Sequence, residues 1–192
     1  MPLRVLTISA YDRHIEELLE VVGRLTKALD AAAISYRLVG GMAVFLHVYT
    51  RSPLGARSTR DVDIAVRRSD LEEIKRAVEP YGLRHRHAAG VDMLVAADKP
   101  KANTAVHVIF VGEKVRPEYV EPVPAFSPAV KTAEGVLLAP VSDLVRMKLT
   151  SFRLRDRVHI QDMDAAGLIT ADTEAQLSPL LLQRLQEVRA EE

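Results

Sequence analysis

A glycine pair between two apolar runs constrains the fold of this chain more than any other feature. Gly40 and Gly41 follow the run Tyr36–Val39 and precede the apolar residues 42–49. This order predicts a short strand, a tight turn and a buried helix. Glycine lets the backbone approach a ligand closely, and a helix N-terminus presents amide donors, so such a turn is suited to phosphate. The pair alone is equally typical of an ordinary tight turn.

Two aspartates follow in the sequence Asp61-Val62-Asp63, at the start of a second apolar run that predicts a strand over Val62–Val66. Carboxylates one residue apart on a strand point to the same face, which is how a divalent cation is held beside a phosphate. A structural role is the alternative, and it needs a compensating cation, for which Arg60 is placed. The motif leaves both roles open, and the preceding glycine turn favours the metal site.

The remaining patterns predict an α/β (α+β) fold, in which a mixed sheet is flanked by helices. Helical spacing or caps predict helices at 12–33, from the capping box Ser69 to Glu72 until Pro80, at 142–152, at 155–166 and at 179–188 after an N-cap at Ser178. Strands are predicted at Val91–Ala96 and 104–111, paired antiparallel across the polar turn 98–101, and at 136–138 after an extended proline-rich segment at 116–128. We expect a core domain over 1–140 and a C-terminal helical extension over 141–192, packed on the core.

Composition excludes several classes of protein. Lysine plus arginine and aspartate plus glutamate each number 26, so no net charge draws the chain onto nucleic acid or a membrane. Cysteine is absent, which excludes disulfides and thiolate metal sites. The first ten residues lack a signal-peptide core, and no run approaches the roughly 18 apolar residues of a membrane span. We expect a cytoplasmic protein with no membrane partner.

A lysine in the predicted extension carries an independent signal. Leu144 and Phe152 flank Lys148 at four residues on either side, so its side chain lies on the helix face that turns inward. An ammonium group there is costly unless it meets a phosphate or a carboxylate. Lys148 could therefore lie beside a nucleotide, or extend along the edge of the apolar face to reach water.

Together these motifs resemble the nucleotidyltransferases of the DNA polymerase beta superfamily. The sequences Val39-Gly40-Gly41 and Asp61-Val62-Asp63-Ile64 match the glycine turn and aspartate strand of its small members. The chain is most similar to the abortive-infection, type IV toxin-like nucleotidyltransferases, which add a helical tail with a lysine and a helix rich in Arg and Asp. Lys148 and residues 155–162 match that tail, and the resemblance covers about 15–168.

The resemblance implies transfer of a nucleotidyl group from a nucleoside triphosphate, with Mg²⁺ or Mn²⁺, to an acceptor that could be RNA, a protein or a small molecule. The residues it implies are Asp61, Asp63 and His107 as metal ligands, the same three with Lys148 as catalytic residues, and Gly40, Gly41, Lys148, Arg155 and Asp156 for nucleotide binding. Arg51, Arg57 and Arg60 offer a local basic patch for a polyanion.

One departure from the family concerns the third carboxylate, whose place in the run 106–110 is held by His107. Imidazole is a poor magnesium ligand, but it can bind manganese or zinc and can act as a general base. Asp92 and Glu113 are alternative third ligands, and a buried core histidine is the structural alternative. If the third ligand is lost, the chain is a non-catalytic nucleotidyltransferase-like binding protein or a toxin-antitoxin regulatory protein. An ordinary α/β interaction domain is a further alternative.

Overall fold

A computed structural model describes residues 8–57, 59, 61–98 and 105–191, with side chains from residue 16 onward. The compensating Arg60 and most of the predicted turn 98–101 lie outside the described residues. The helices are α1 Ile8–Ala31, α2 Gly40–Arg51, α3 Leu71–Val78, α4 Val141–Ser151, α5 Leu154–Ala165, α6 Ala171–Ala175 and α7 Pro179–Ala190. The strands are β1 Tyr36–Val39, β2 Val62–Val66, β3 Leu83–Ala88, β4 Val91–Ala96, β5 Val106–Phe110, β6 Val130–Lys131 and β7 Leu137–Leu138.

The strands form one mixed sheet in the order β3-β4-β5-β2-β1-β7-β6. The β4 strand pairs antiparallel with β5, as predicted, whereas β2 runs antiparallel to β1 and parallel to β5. Strand β2, which contains Asp63, therefore lies between β1, which leads into the glycine turn, and β5, which contains His107. The predicted mixed sheet flanked by helices is confirmed.

One apolar core joins the sheet to helices from both ends of the chain. Leu18 and Leu25 of α1, Ile64 of β2, Leu144 of α4 and Leu185 of α7 are at most 1% exposed and belong to the same cluster. Helix α2 contacts α4 and α5, and α7 contacts both of these. The packing therefore continues across residue 140. None of the described helices is long and apolar enough to cross a membrane.

Local signals near two helix starts were misleading. The capping box predicted at Ser69 is wrong, because Arg68–Asp70 forms a 3₁₀ turn in which the Ser69 hydroxyl donates to the Asp70 carboxylate at 2.8 Å. Ser178 does occupy the N-cap position of α7, but its hydroxyl donates to Glu121 at 2.7 Å instead of capping the helix. Strands β3 and β6 and helix α6 were not predicted.

Candidate functional site

The glycine turn brings the backbone of Gly40 against the carboxylate of Asp63. Val39 is the register partner of Asp63 in the β1–β2 ladder, so the turn begins beside it. Gly40 has φ +69°, and a Cβ built on it would lie 1.9 Å from Asp63 Oδ2. A side chain at position 40 would therefore collide with the carboxylate as well as strain the backbone. Helix α2 begins at Gly40, and its N-cap residue, Val39, makes no side-chain hydrogen bond to the first amides of the helix.

Asp63 and His107 are direct neighbours on parallel strands. They are register partners in the β2–β5 ladder, and His107 Nδ1 lies 3.2 Å from Asp63 Oδ1. The hydrogen bond to the Asp63 carboxylate raises the pKa of His107, against the opposing effect of burial. The ring is thus held as a hydrogen-bonded partner of the carboxylate and is not an isolated core histidine.

Asp61 has a different partner. It precedes β2, its side chain is 42% exposed, and its Oδ2 lies 3.5 Å from Nη1 of Arg155 on α5. The hydroxyl of Thr59 donates to the Asp61 backbone oxygen at 3.2 Å. Asp61 therefore forms an ion pair with an arginine side chain of the helical extension.

A cavity of about 300 Å³ lies beside this turn. Its polar lining includes Gly40, Asp63, His107, Lys148 and Arg153. Its apolar lining comes from the sheet, from α4 and from the segment between β5 and β6: Val39, Val91, Ile109, Val115, Pro122, Val123, Leu144 and Met147. A phosphate-bearing ligand with an apolar part matches such a mixed lining.

Lys148 meets a carboxylate, but not one of the aspartate pair. It is 7% exposed, and its Nζ donates to Oδ1 of the fully buried Asp156 at 3.0 Å. Arg153 Nε donates to the other oxygen of Asp156 at 2.7 Å, and Ser151 Oγ does so at 2.8 Å. Burial raises the pKa of Asp156. Its hydrogen bond to Arg153 and the charge of Lys148 together outweigh burial and hold this pKa well below its usual range.

Sequence reasoning missed Arg153, which lines the cavity. The signal that could have found it is the spacing of three residues between Arg153, at the N-cap of α5, and Asp156. His159 Cε1 lies 3.5 Å from the position of a Cβ on Gly41, and its buried Nδ1 has no hydrogen-bond partner among the described residues. No sequence signal distinguished this histidine from its charged neighbours.

The alternative third ligands lie elsewhere. The register partner of Asp92 on β5 is Val108, so its side chain is on the sheet face opposite His107, where His85 and His87 bind it at 2.8 and 3.0 Å. The carboxylate of Glu113 accepts two bonds from Arg68. Neither residue lines the cavity. In the predicted basic patch, Arg57 pairs with Asp162 at 2.9 Å.

Among the described residues, no three His, Asp or Glu side chains converge as a preformed metal centre. The donor set at β2 nevertheless fits a cation that takes one or two carboxylates and completes its shell with phosphate oxygens, which is how Mg²⁺ is usually held. Asp61 and Asp63 supply the carboxylates, and the imidazole of His107 would favour manganese over magnesium. The missing side chain of Gly40 also leaves the room that the Asp63 carboxylate occupies.

No protein-family model matches the chain, and neither does any curated protein sequence. Solved structures do match. The solution structure of the antibiotic-resistance factor ANT(2'')-Ia matches with a TM-score of 0.53 and 15% identity, over 89% of this chain and 92% of that one. An antigenic nucleotidyltransferase-like protein from Paracoccidioides brasiliensis matches with a TM-score of 0.52 and 20% identity, over 92% and 87%.

A third match, the Megavirus polyadenylate synthase, has a TM-score of 0.50 and 9% identity, over 88% of this chain and 34% of that one. The three are named as an antibiotic-resistance factor, a nucleotidyltransferase-like protein and a polyadenylate synthase, and all are far below the identity at which an activity could be carried over. The abortive-infection or toxin-like subtype stays a prediction. What the chain shares with them is the fold: its mixed sheet and flanking helices form a nucleotidyltransferase-like fold.

Proposed function

We propose that the chain is a metal-dependent nucleotidyltransferase, which moves a nucleotidyl group from a nucleoside triphosphate to an acceptor. The observation that carries the proposal is the contact between Gly40 and the carboxylate of Asp63 on the wall of a cavity that also contains His107 and Lys148. Backbone amides, a carboxylate and a buried ammonium group at one cavity are the groups that phosphoryl chemistry needs.

Each residue has a role in this proposal. Gly40 and Gly41 offer backbone amides to the phosphates, and Asp61 and Asp63 hold a divalent cation. When bound, that cation would neutralise charge on the phosphate oxygens. His107 orients Asp63 through their hydrogen bond and is placed to ligate the cation or take the acceptor proton. Lys148 balances the charge of the triphosphate.

The acceptor class is open between RNA, a protein and a small molecule. One structural neighbour, ANT(2'')-Ia, was solved in complex with adenylyl-2''-tobramycin, and another is a polyadenylate synthase. These neighbours support both small-molecule and nucleic-acid acceptors for the fold. The zero net charge of this chain disfavours tight unspecific binding to RNA.

A non-catalytic binding or toxin-antitoxin regulatory protein is the second candidate. Two ion pairs favour it: Arg155 lies beside Asp61, and His107 beside Asp63. Each aspartate therefore has a cationic or hydrogen-bonding partner within the chain. Such pairing would let the aspartates persist without a metal ion.

The test is transfer of label from the four α-labelled nucleoside triphosphates, with Mg²⁺ or Mn²⁺, to total RNA, to cell protein and to an aminoglycoside. The wild-type protein is compared with Asp63→Asn and with Asp30→Asn, a matched control at an exposed position on α1. We expect labelling that is lost in Asp63→Asn and kept in the control. Labelling that persists in Asp63→Asn contradicts the proposal, and nucleotide binding without labelling favours the non-catalytic protein.

A further inference from the structure

Asp156 is a site residue that a ligand in the cavity does not reach. It is fully buried and does not line the cavity, whereas Lys148, Ser151 and Arg153 do. These three lining side chains all bond to its carboxylate: Lys148 and Arg153 Nη2 to Oδ1, and Arg153 Nε and Ser151 to Oδ2. The backbone amide of Arg153 adds a further bond to Oδ2 at 3.3 Å. Asp156 therefore lies behind the cavity wall and holds the groups that form it.

The two cations keep hydrogen-bond capacity that Asp156 does not use. An ammonium group has three donors and a guanidinium has five. Within the described residues, the Lys148 amine makes one hydrogen bond, to Asp156, and Arg153 uses its Nε and Nη2. Two donors of Lys148 and the Nη1 group of Arg153 remain for a ligand.

The charge of this cluster favours an anion. Lys148 and Arg153 face one carboxylate, so the cluster of Lys148, Arg153 and Asp156 carries one net positive charge, and Lys148 within it is 7% exposed. A charge removed from water is weakly screened, and it attracts an anion more strongly than a surface lysine would. Asp63 and Gly40 line the same cavity, so an anion bound here lies near the proposed transfer site.

We propose that Asp156 is a positioning residue, which holds Lys148 and Arg153 as a pair that binds the two terminal phosphates of the nucleoside triphosphate. The inference rests on the proposed function for the identity of the ligand. In nucleotidyl transfer the acceptor oxygen bonds to the α-phosphorus, and the bond from the α-phosphorus to its bridging oxygen breaks. Pyrophosphate leaves with the electron pair, and a base or water takes the acceptor proton. The pair would thus bind the leaving group, while Asp63 faces the reacting phosphorus.

Inorganic pyrophosphate, titrated calorimetrically without divalent metal, probes this pair directly. We expect binding to the wild-type protein and at least about tenfold weaker binding to Lys148→Gln and Arg153→Gln, because each removes charged hydrogen bonds. Arg157→Gln is the control. Arg157 lies next to Asp156 on α5, pairs with Glu187 at 2.7 Å and does not line the cavity. Pyrophosphate affinity equal in all four proteins would overturn the inference.

Asp156→Asn separates positioning from simple attraction, because the two predict opposite signs. Removing a negative charge beside two cations should tighten pyrophosphate binding if attraction alone matters. A positioning role predicts weaker binding per folded molecule, with the folded fraction measured by circular dichroism. If this variant does not fold, Arg153→Lys decides. It keeps the charge but lacks the planar fork that joins Asp156 to a phosphate, so undiminished affinity would overturn the inference.

The failure of this inference is distinguishable from the failure of the proposed function. If pyrophosphate binding depends on Lys148 and Arg153 but no label is ever transferred, the anion site stands and the transferase proposal falls. If label transfer depends on Asp63, but Arg153→Gln and Lys148→Gln leave both pyrophosphate binding and the KM for the nucleotide unchanged, the transferase proposal stands and the anion site falls.

Discussion

Replacing Gly40 with alanine tests the contact on which the candidate site depends. An alanine Cβ would lie 1.9 Å from Oδ2 and 2.8 Å from Cγ of Asp63, and the residue would keep φ near +69°. The left-handed backbone costs a non-glycine residue about 1 to 2 kcal/mol. The carboxylate must also turn away, at about 0.5 to 1.5 kcal/mol for a displaced rotamer, and it loses its hydrogen bond to His107. We expect the free energy of unfolding to fall by about 2 to 5 kcal/mol, since the lost hydrogen bond adds about 0.5 to 1.5 kcal/mol to the other two costs.

Gly167→Ala is the matched control for the backbone part of this cost. Gly167 has φ +66°, and a Cβ there would meet no atom within 4 Å. Chemical denaturation should therefore show a loss of only about 1 to 2 kcal/mol. In an Asp63→Ala background, Gly40→Ala should cost only slightly more than Gly167→Ala, because the carboxylate is absent and only the Cβ of residue 63 remains, at 3.0 Å. Equal costs of Gly40→Ala and Gly167→Ala in the wild-type background, or additive effects of the Gly40 and Asp63 substitutions, would refute the reasoning.

Two further predictions concern pH and metal binding. Burial, aided by the charge of Lys148, lowers the pKa of His159 to about 4. Below about pH 6.5 the unfolded chain binds a proton on His159, whereas the folded chain binds it only near pH 4. The free energy of unfolding therefore falls by up to about 1.4 kcal/mol per pH unit as the pH is lowered through this range. Denaturation across this range should show that His159→Gln reduces the slope; buried His47, whose pKa is also lowered by burial, contributes to what remains. An unchanged slope would contradict the assignment. Arg155→Gln should tighten Mn²⁺ binding about two- to fivefold by freeing Asp61, since an exposed ion pair contributes at most about 1 kcal/mol. Calorimetry should show no change in Arg57→Gln, and equal affinities in both variants would contradict this.

Much of the fold followed from patterns that act over a few residues. The apolar run before Gly40 and the apolar stretch after Gly41 correctly predicted β1 and α2, and the β-branched run after Asp61 correctly predicted β2. Strand β3 escaped detection because it is an edge strand whose Arg84, His85, Arg86 and His87 look polar. Charged side chains protect such an edge from pairing with another chain, and they also hide its strand pattern.

The partners of the site residues could not be predicted from local patterns. The sequence determined which groups are available: a glycine turn, two aspartates, a histidine on an apolar strand, and a lysine on the inward face of a helix. Only the tertiary structure decided that Asp63 meets His107, because that depends on β5 pairing in parallel with β2 across more than 40 residues. The docking of α5 likewise decided that Asp61 meets Arg155 and Lys148 meets Asp156. Spacing along a chain sets which side chains share a face, whereas strand order and helix packing set which faces meet.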